Sequence, residues 1–480
     1  MRRTINLITL KANLNPFLLN FFMTKLISTN PAKGYEVNEE LKESSVEEIK
    51  QKVDLANSVK EEWKELGAKK RAELIWPIYE EIKSRKDEFA ELITKEIGKP
   101  LSASKSGVIN FIEEIKWFLE NVESATKDEI TFEDASELHK ITYEPFGVAA
   151  VIAPWNYPLG MAIWGIFPNL LVGNTVIFKT SEECPLVGKL VEEIINKHNL
   201  PKGVFSEIYG AGEVGQKLVE SNVDLIWFTG SSKVGKLMYK IAAEKFIKVV
   251  LEMGGSNPGI VFEDVDITKV VPKIYGERFG NCGQSCDALK RLIVHESIFD
   301  EVVEKLKIEI ESKVVGDPLD EKSTLGSLVA KRQVDLLKGQ VEDAISKGAK
   351  VVTGGKQPDG LNGAFYELTL LTNITKDMRV WHEEVFGPVL PVVSFKTEEE
   401  AIDLASDTIY GLGARVFSND ETQARRVASK LKAGTVEINQ SSRWQPCNPF
   451  GGYKLSGLGR EHGVAGFREL CQIKVITESK

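Results

Sequence analysis

Short apolar runs alternating with helix-length segments constrain this chain more than any single residue does. Val148-Ala149-Ala150-Val151-Ile152, Val176-Ile177-Phe178, Phe205-Ser206-Glu207-Ile208-Tyr209 and Leu225-Ile226-Trp227-Phe228 each have the length and apolar content of a buried strand. Helices are expected between them at Met161–Gly173 and Pro185–Asn199. Such alternation with short turns predicts a parallel sheet covered by helices on both faces. The pattern restarts after Gly254, with helices at Ile267–Phe279, Asp300–Glu311, Ser323–Lys347 and Glu398–Ser406. Its strands are expected at Leu292-Ile293-Val294, Val351–Gly355 and Val389–Phe395. At 480 residues the chain exceeds one ordinary core, so the expected fold is α/β with two doubly wound parallel-sheet domains. Ahead of them Ser45–Glu123 has helical spacing, and Glu129–Pro145 alternates as strands do.

The formal net charge is −9, and no basic face with interleaved aromatics occurs, which argues against nucleic acid as a partner. No apolar run reaches the ~18 residues of a membrane span. Five cysteines without CxxC spacing suggest neither a disulfide framework nor a zinc site, and no metal is expected. A reducing cytoplasm fits them and keeps a thiol available. Residues 1–22 differ from the rest, being basic at the start, without acidic residues and interrupted by Pro16. They read either as a weak targeting signal or as an upstream start ahead of Met23.

The chemistry centres on Phe279-Gly280-Asn281-Cys282-Gly283-Gln284-Ser285-Cys286-Asp287-Ala288-Leu289-Lys290-Arg291. Cys286 stands at the mouth of a strand behind a small flexible turn, where a substrate can approach. Upstream, Glu252 in Leu251-Glu252-Met253-Gly254-Gly255 is a lone carboxylate in an apolar segment, a candidate general base whose pKa burial would raise. In Ala153-Pro154-Trp155-Asn156-Tyr157-Pro158, Asn156 is either a turn residue or a neutral amide donor for an oxyanion. Phe228-Thr229-Gly230-Ser231-Ser232-Lys233-Val234-Gly235 is a strand-to-helix turn suited to a pyrophosphate, although many such turns need glycine for shape alone. Lys179 is either a solvated strand end or a ligand contact. Cys282 reads as packing; Cys184, Cys447 and Cys471 read as small hydrophobes.

These segments, in this order, resemble the NAD(P)-dependent aldehyde dehydrogenase superfamily from about Met23 to the C-terminus. The E-L-G-G-type segment at Glu252, the N-x-G-Q-x-C segment ending at Cys286, Glu384-Val385-Phe386-Gly387-Pro388 and Pro449–Glu461 carry the likeness. It implies a dinucleotide-binding domain of 23–127 and 146–253, a catalytic domain of 254–455, and an oligomerisation segment of 128–145 and 456–480. A homodimer or homotetramer is the expected assembly. Cys286 is implied as the nucleophile, Glu252 as the base for hydrolysis and Asn156 as the oxyanion donor with the backbone N–H of Cys286. The implied cofactor contacts are Ile152, Ala153, Pro154, Trp155, Lys179, Glu182, Gly212, Phe228, Thr229, Gly230, Ser231, Val234, Gly254, Glu384 and Phe386. Glu182 would accept from ribose hydroxyls and repel a 2′-phosphate, so NAD is expected and NADP is the alternative.

The implied substrate tunnel is lined by Tyr157, Met161, Trp164, Ser285, Asp287, Arg443, Trp444 and Phe450. Succinate-semialdehyde relatives commonly carry arginines where Trp164 and Gly280 stand, so uncharged aldehydes are expected. Arg443 remains a second way to anchor a carboxylate. Non-phosphorylating glyceraldehyde-3-phosphate dehydrogenases are the rival, since the run after Cys286 looks like theirs, but Ser285 stands where they usually have arginine. Glu252 argues against release of the thioester to CoA. A non-catalytic binding or structural relative is the alternative of another class, disfavoured by intact Cys286, Glu252 and Asn156.

Overall fold

A computed structural model describes residues 25–440 and 445–480. The N-terminal stretch 1–22, Arg443 and Trp444 lie outside the described residues.

Strands β1 (Lys25–Asn30) and β2 (Glu36–Lys42) form an antiparallel pair. Four helices follow between Val46 and Ala125. Next come β3 (Glu129–Glu133) and β4 (Glu137–Pro145), then β5 (Val148–Ile152), β6 (Thr175–Lys179), β7 (Phe205–Ile208), β8 (Leu225–Thr229) and β9 (Lys248–Glu252). The second half contributes β10 (Asn257–Val261), β11 (Leu289–His295), β12 (Lys350–Thr353), β13 (Thr369–Thr372), β14 (Val389–Phe395), β15 (Gly413–Phe417) and β16 (Thr435–Ile438). Two strands close the chain, β17 (Gly457–Leu458) and β18 (Cys471–Ser479).

A six-stranded sheet has the order β17-β9-β8-β5-β6-β7, parallel except for β17. A seven-stranded sheet has the order β12-β13-β14-β11-β10-β15-β16, parallel except for β12. Both are wound on two faces, and the side-chain alternation of single strands records it. On β5, Ala149 and Val151 pack with Phe167 and Trp227, whereas Val148, Ala150 and Ile152 pack on the other side with Val53 and Leu218. On β11, Leu292 and Val294 face Phe279 and Leu390, while Ile293 faces Trp381 and Val416. A third sheet, β18-β4-β3, is antiparallel and leaves Ile130, Phe132, Ile473 and Val475 exposed.

Two details position the site. The chain leaves the first sheet at Glu252 and enters the second at Asn257, so Met253–Ser256 spans the cleft between the sheets. The order of the first sheet places β6 and β8 on either side of β5, a reversal that opens a crevice beyond the carboxyl ends of β5 and β8.

The helix expected at Ser323–Lys347 is shorter, Lys331–Ser346. Its first eight residues are instead irregular, because their backbone is bonded elsewhere. Ser327 N–H donates to Gly98 and Leu328 N–H to Ala364, while Gly326 lies so close to Gly98 that a Cβ would meet its carbonyl at 1.8 Å. Cys447 is exposed, not packed, because it stands on an irregular turn before Pro449; Cys184, Cys282 and Cys471 are buried. No described helix is long and apolar enough to cross a membrane. Among the described residues no cluster of His, Cys, Asp and Glu gathers to hold a metal.

Candidate active site

A cavity of about 880 Å³ opens where the carboxyl edge of the first sheet meets the amino end of β11. Its walls include Asn156, Cys286, Thr229, Gly230, Ser231, Gly254, Glu384 and Phe386. Cys286 is half-buried three residues before β11. The turn around it is held from two sides. Asn257 Nδ2 donates to the carbonyls of Cys286 at 2.7 Å and Ala288 at 2.8 Å, and Arg415 donates to the carbonyl of Asp287 at 2.8 Å. Asn281 and Cys282 have φ of 52° and 56°, a left-handed bend that lets Gly283 pass against the Gly387 carbonyl. Burial pushes the Cys286 thiol well above its ordinary range, and Asp287 pushes it further; Lys290 opposes both.

Asn156 is buried and follows β5 by four residues. Its amide donates one hydrogen to the Gln284 carbonyl at 3.2 Å, and its own carbonyl accepts from Asn281 Nδ2 at 2.8 Å. Gln284 is fixed in turn by Val329 N–H at 3.0 Å. Asn156 is thereby tied to the nucleophile turn, and the amide's second hydrogen remains for the cavity.

Glu252 is neither lone nor in the cavity wall, which corrects the reading of an isolated motif carboxylate. It ends β9 and points into a recess where Gly451 would place a Cβ 2.6 Å from its Oε1. Burial raises its carboxyl well above the ordinary range, and the neighbouring Glu461 raises it further. Glu461, itself buried, is pushed up to about 8. The two lie 209 residues apart in sequence, yet β17 pairs Gly457 with Glu252 and brings the closing motif alongside. Periodicity gave no sign of this contact.

On the cofactor side, Pro154, Trp155, Thr229, Gly230, Ser231, Gly254, Glu384 and Phe386 line the cavity. Ile152, Ala153, Lys179, Glu182, Gly212, Phe228 and Val234 are not in its wall. Of these, Ile152, Lys179 and Phe228 lie on β5, β6 and β8 at or near their carboxyl ends. Lys179 is buried, its ammonium donating to the Thr180 carbonyl at 2.9 Å and standing 3.9 Å from Glu182. Ser231 caps the helix Ser232–Lys245, accepting from Val234 N–H at 3.3 Å. This capped N-terminus suits an anion, and Glu384 suits a sugar diol. The cavity joins both to Cys286, so the residues present fit a dinucleotide with its reactive end at the thiol.

On the substrate side Tyr157, Met161, Trp164, Ser285, Asp287 and Phe450 all line the cavity. Sequence reading missed Phe111, which meets Tyr157 edge-on at 5.8 Å and Trp164 at 5.9 Å. It also missed Glu113 and Glu114, whose helix Leu101–Ala125 is distant from every motif in sequence but lines the same cavity. The Trp164 indole N–H donates to Glu114. The tunnel is therefore not simply apolar. Glu113, Glu114 and Asp287 line this side of the cavity, Glu113 paired with Lys83 at 3.2 Å, and no lysine or arginine is among the cavity's described residues.

The sequence matches the aldehyde dehydrogenase family over residues 23–476. Aminoaldehyde dehydrogenase 1, peroxisomal, from Pisum sativum is 41% identical over 87% of this chain and 84% of its own. A crystal structure of an E. coli NADP dependent enzyme superposes with a TM-score of 0.92 at 32% identity, covering 95% of each chain. Betaine aldehyde dehydrogenase from Staphylococcus aureus in complex with NAD+ gives 0.91 at 35% identity, over 95% of this chain and 92% of that one. The chain belongs to the aldehyde dehydrogenase family and is an NAD(P)-dependent aldehyde oxidoreductase.

Proposed function

We propose that the chain oxidises an aldehyde to its carboxylic acid through a thioester on Cys286. The observation that carries this is the meeting of Cys286 and Asn156 in one cavity with Thr229–Ser231 and Glu384. The Cys286 sulfur, its proton passed to solvent, adds to the carbonyl carbon. The resulting oxyanion is held by the free N–H of the Asn156 amide and the backbone N–H of Cys286. When bound, NAD(P) supplies the acceptor for the aldehyde hydride. Glu252 then turns from its recess, takes a proton from water, and the hydroxide displaces Cys286 as the acid leaves. Its raised pKa makes it, once ionised, a stronger proton acceptor than an ordinary carboxylate.

Glu182 beside Lys179 favours NAD over NADP. Glu114 and Asp287 on the substrate side, with no lysine or arginine among the described cavity residues, favour neutral and cationic aldehydes over anionic ones, since a carboxylate would be desolvated without a cation to pair with. The names of the pea and staphylococcal relatives agree with a cationic or amino-bearing substrate. A cytoplasmic homo-oligomer, assembled through the β18-β4-β3 sheet and its exposed Ile473 and Val475, completes the reading. The test is Cys286→Ala. NADH formation should fall by about 10³-fold or more while NADH still binds by fluorescence; turnover near wild type would remove Cys286 from the reaction.

A further inference from the structure

Lys290 lies four residues beyond Cys286 on β11, is fully buried, and belongs to no wall of the cavity. Its ammonium is hydrogen-bonded to Glu384 Oε1 and stands 5.0 Å over the centre of the Phe386 ring. Both are cavity residues on the cofactor side. Glu384 Oε1 also accepts from Gly255 N–H at 3.0 Å, and its backbone carbonyl from Gln340 Nε2 at 3.2 Å. A second buried cation, Arg278, donates to the carbonyls of Val385 at 3.2 Å, Gly387, and Val389 at 2.9 Å. Two cations thus hold the 384–389 loop from beneath, Arg278 by the backbone and Lys290 by side chains.

Arg278 spends its Nε and Nη2 hydrogens on three backbone carbonyls of the loop, and its role is structural. Lys290 has one carboxylate, and a buried ion pair alone is weak support for a fold, because desolvation offsets the attraction. What distinguishes Lys290 is its position between two functional groups. Gly255, whose N–H donates to the same Glu384 oxygen, lies so close to the nucleophile turn that a Cβ on it would stand 2.7 Å from the Cys286 carbonyl; of the charged groups around Cys286, namely Asp287, Lys290, Glu384 and Glu252, Lys290 is the one cation. Those acting on Lys290 are Glu384, Cys286 and Arg278.

We propose that Lys290 is a positioning residue joining the cofactor half of the site to the nucleophile: it holds Glu384 and Phe386 in place and is the cation that supports the Cys286 thiolate. The proposal rests on Cys286 being the nucleophile. It implies competition, because Glu384 and the thiolate share one ammonium. Whatever draws Glu384 toward a ribose hydroxyl leaves more of the Lys290 charge for the sulfur.

The rate of Cys286 alkylation by iodoacetamide, followed by peptide mass spectrometry from pH 7 to 11 on the full chain without cofactor and fitted for its midpoint from the rising limb, reads the thiolate directly. In Lys290→Met the alkylation midpoint should rise by about one unit or more, and the KM for NAD should rise about 10-fold. Lys290→Arg should hold the midpoint near wild type. Glu384→Gln should move it the other way, downward, by freeing the ammonium. A folded Lys290→Met of unchanged Tm, with unchanged midpoint and cofactor KM, overturns the proposal. Should Lys290→Met fail to fold, Glu384→Gln decides, and an unchanged or raised midpoint there is equally fatal. No turnover enters the alkylation measurement, so its failure is separate from failure of Cys286→Ala to lose activity.

Discussion

The two sheets meet the cleft with opposite ends and different chemistry. The six-stranded sheet presents carboxyl ends, where Thr229, Gly230 and Ser231 offer backbone groups and a helix N-terminus. The seven-stranded sheet presents the amino end of β11, where Cys286, Asp287 and Glu384 line one cavity and the buried Lys290 is bonded to Glu384. The first face binds through peptide dipoles, which are indifferent to pH. The second holds titratable groups in a dry setting, where each charge alters its neighbours. Substitutions of the titratable groups, Glu252 at the end of β9 included, should therefore change rates and pH profiles, and those in the 229–231 turn should change affinity.

The largest effect beyond loss of the nucleophile should come from Glu252→Gln. Steady-state turnover should drop about 10²-fold with a preserved burst of NADH, since hydride transfer precedes the step that needs a base. A steady-state rate equal to wild type would place the base elsewhere and weaken the contrast between titratable groups and peptide dipoles.

Substrate charge comes next. Trimethylammonioacetaldehyde and its neutral isostere 3,3-dimethylbutanal should each have kcat/KM about 10-fold or more above succinate semialdehyde. A preference for succinate semialdehyde that disappears in Arg443→Ala would instead make that arginine a carboxylate anchor.

On the first face, NAD should be preferred over NADP by about 10-fold in kcat/KM, a gap that Glu182→Ser narrows. Wild-type preference for NADP, or no change in the variant, contradicts the role of Glu182.

The smallest effect is one of stability. Burial lifts the Glu461 carboxyl from its ordinary 4.5 to about 8, so between those values the folded chain holds a proton that the unfolded chain releases. That contribution is complete below about 4.5 and is lost as pH rises through about 8. Glu461→Gln should flatten the dependence, raising Tm at pH 8 relative to pH 5.5 by about 2–4 °C. An unaltered profile would mean that Glu461 titrates normally.

The motif residues were legible because each is a local event. Asn156 and Cys286 both occupy turns next to a strand, and both line the cavity. Strand positions such as β5, β6 and β8 were legible for the same reason, since a strand buried on two faces must be apolar throughout. The helix expected from Ser323 failed where backbone contacts to Gly98 and Ala364 overrode local periodicity. Cys447 was misplaced because residue type does not report burial.

What the sequence determined by itself was the alternation of strand and helix, the family, and the identity of the chemical groups, all encoded over stretches of a few residues. Tertiary structure alone decided which charges meet. Glu252 faces Glu461, Lys290 grips Glu384, and Trp164 holds Glu114, pairs separated by 209, 94 and 50 residues. No local pattern announces such a pair, because a buried carboxylate or ammonium is tolerated only where distant segments fold around it. The charge of the tunnel and the acidity of the thiol therefore belong to the folded chain.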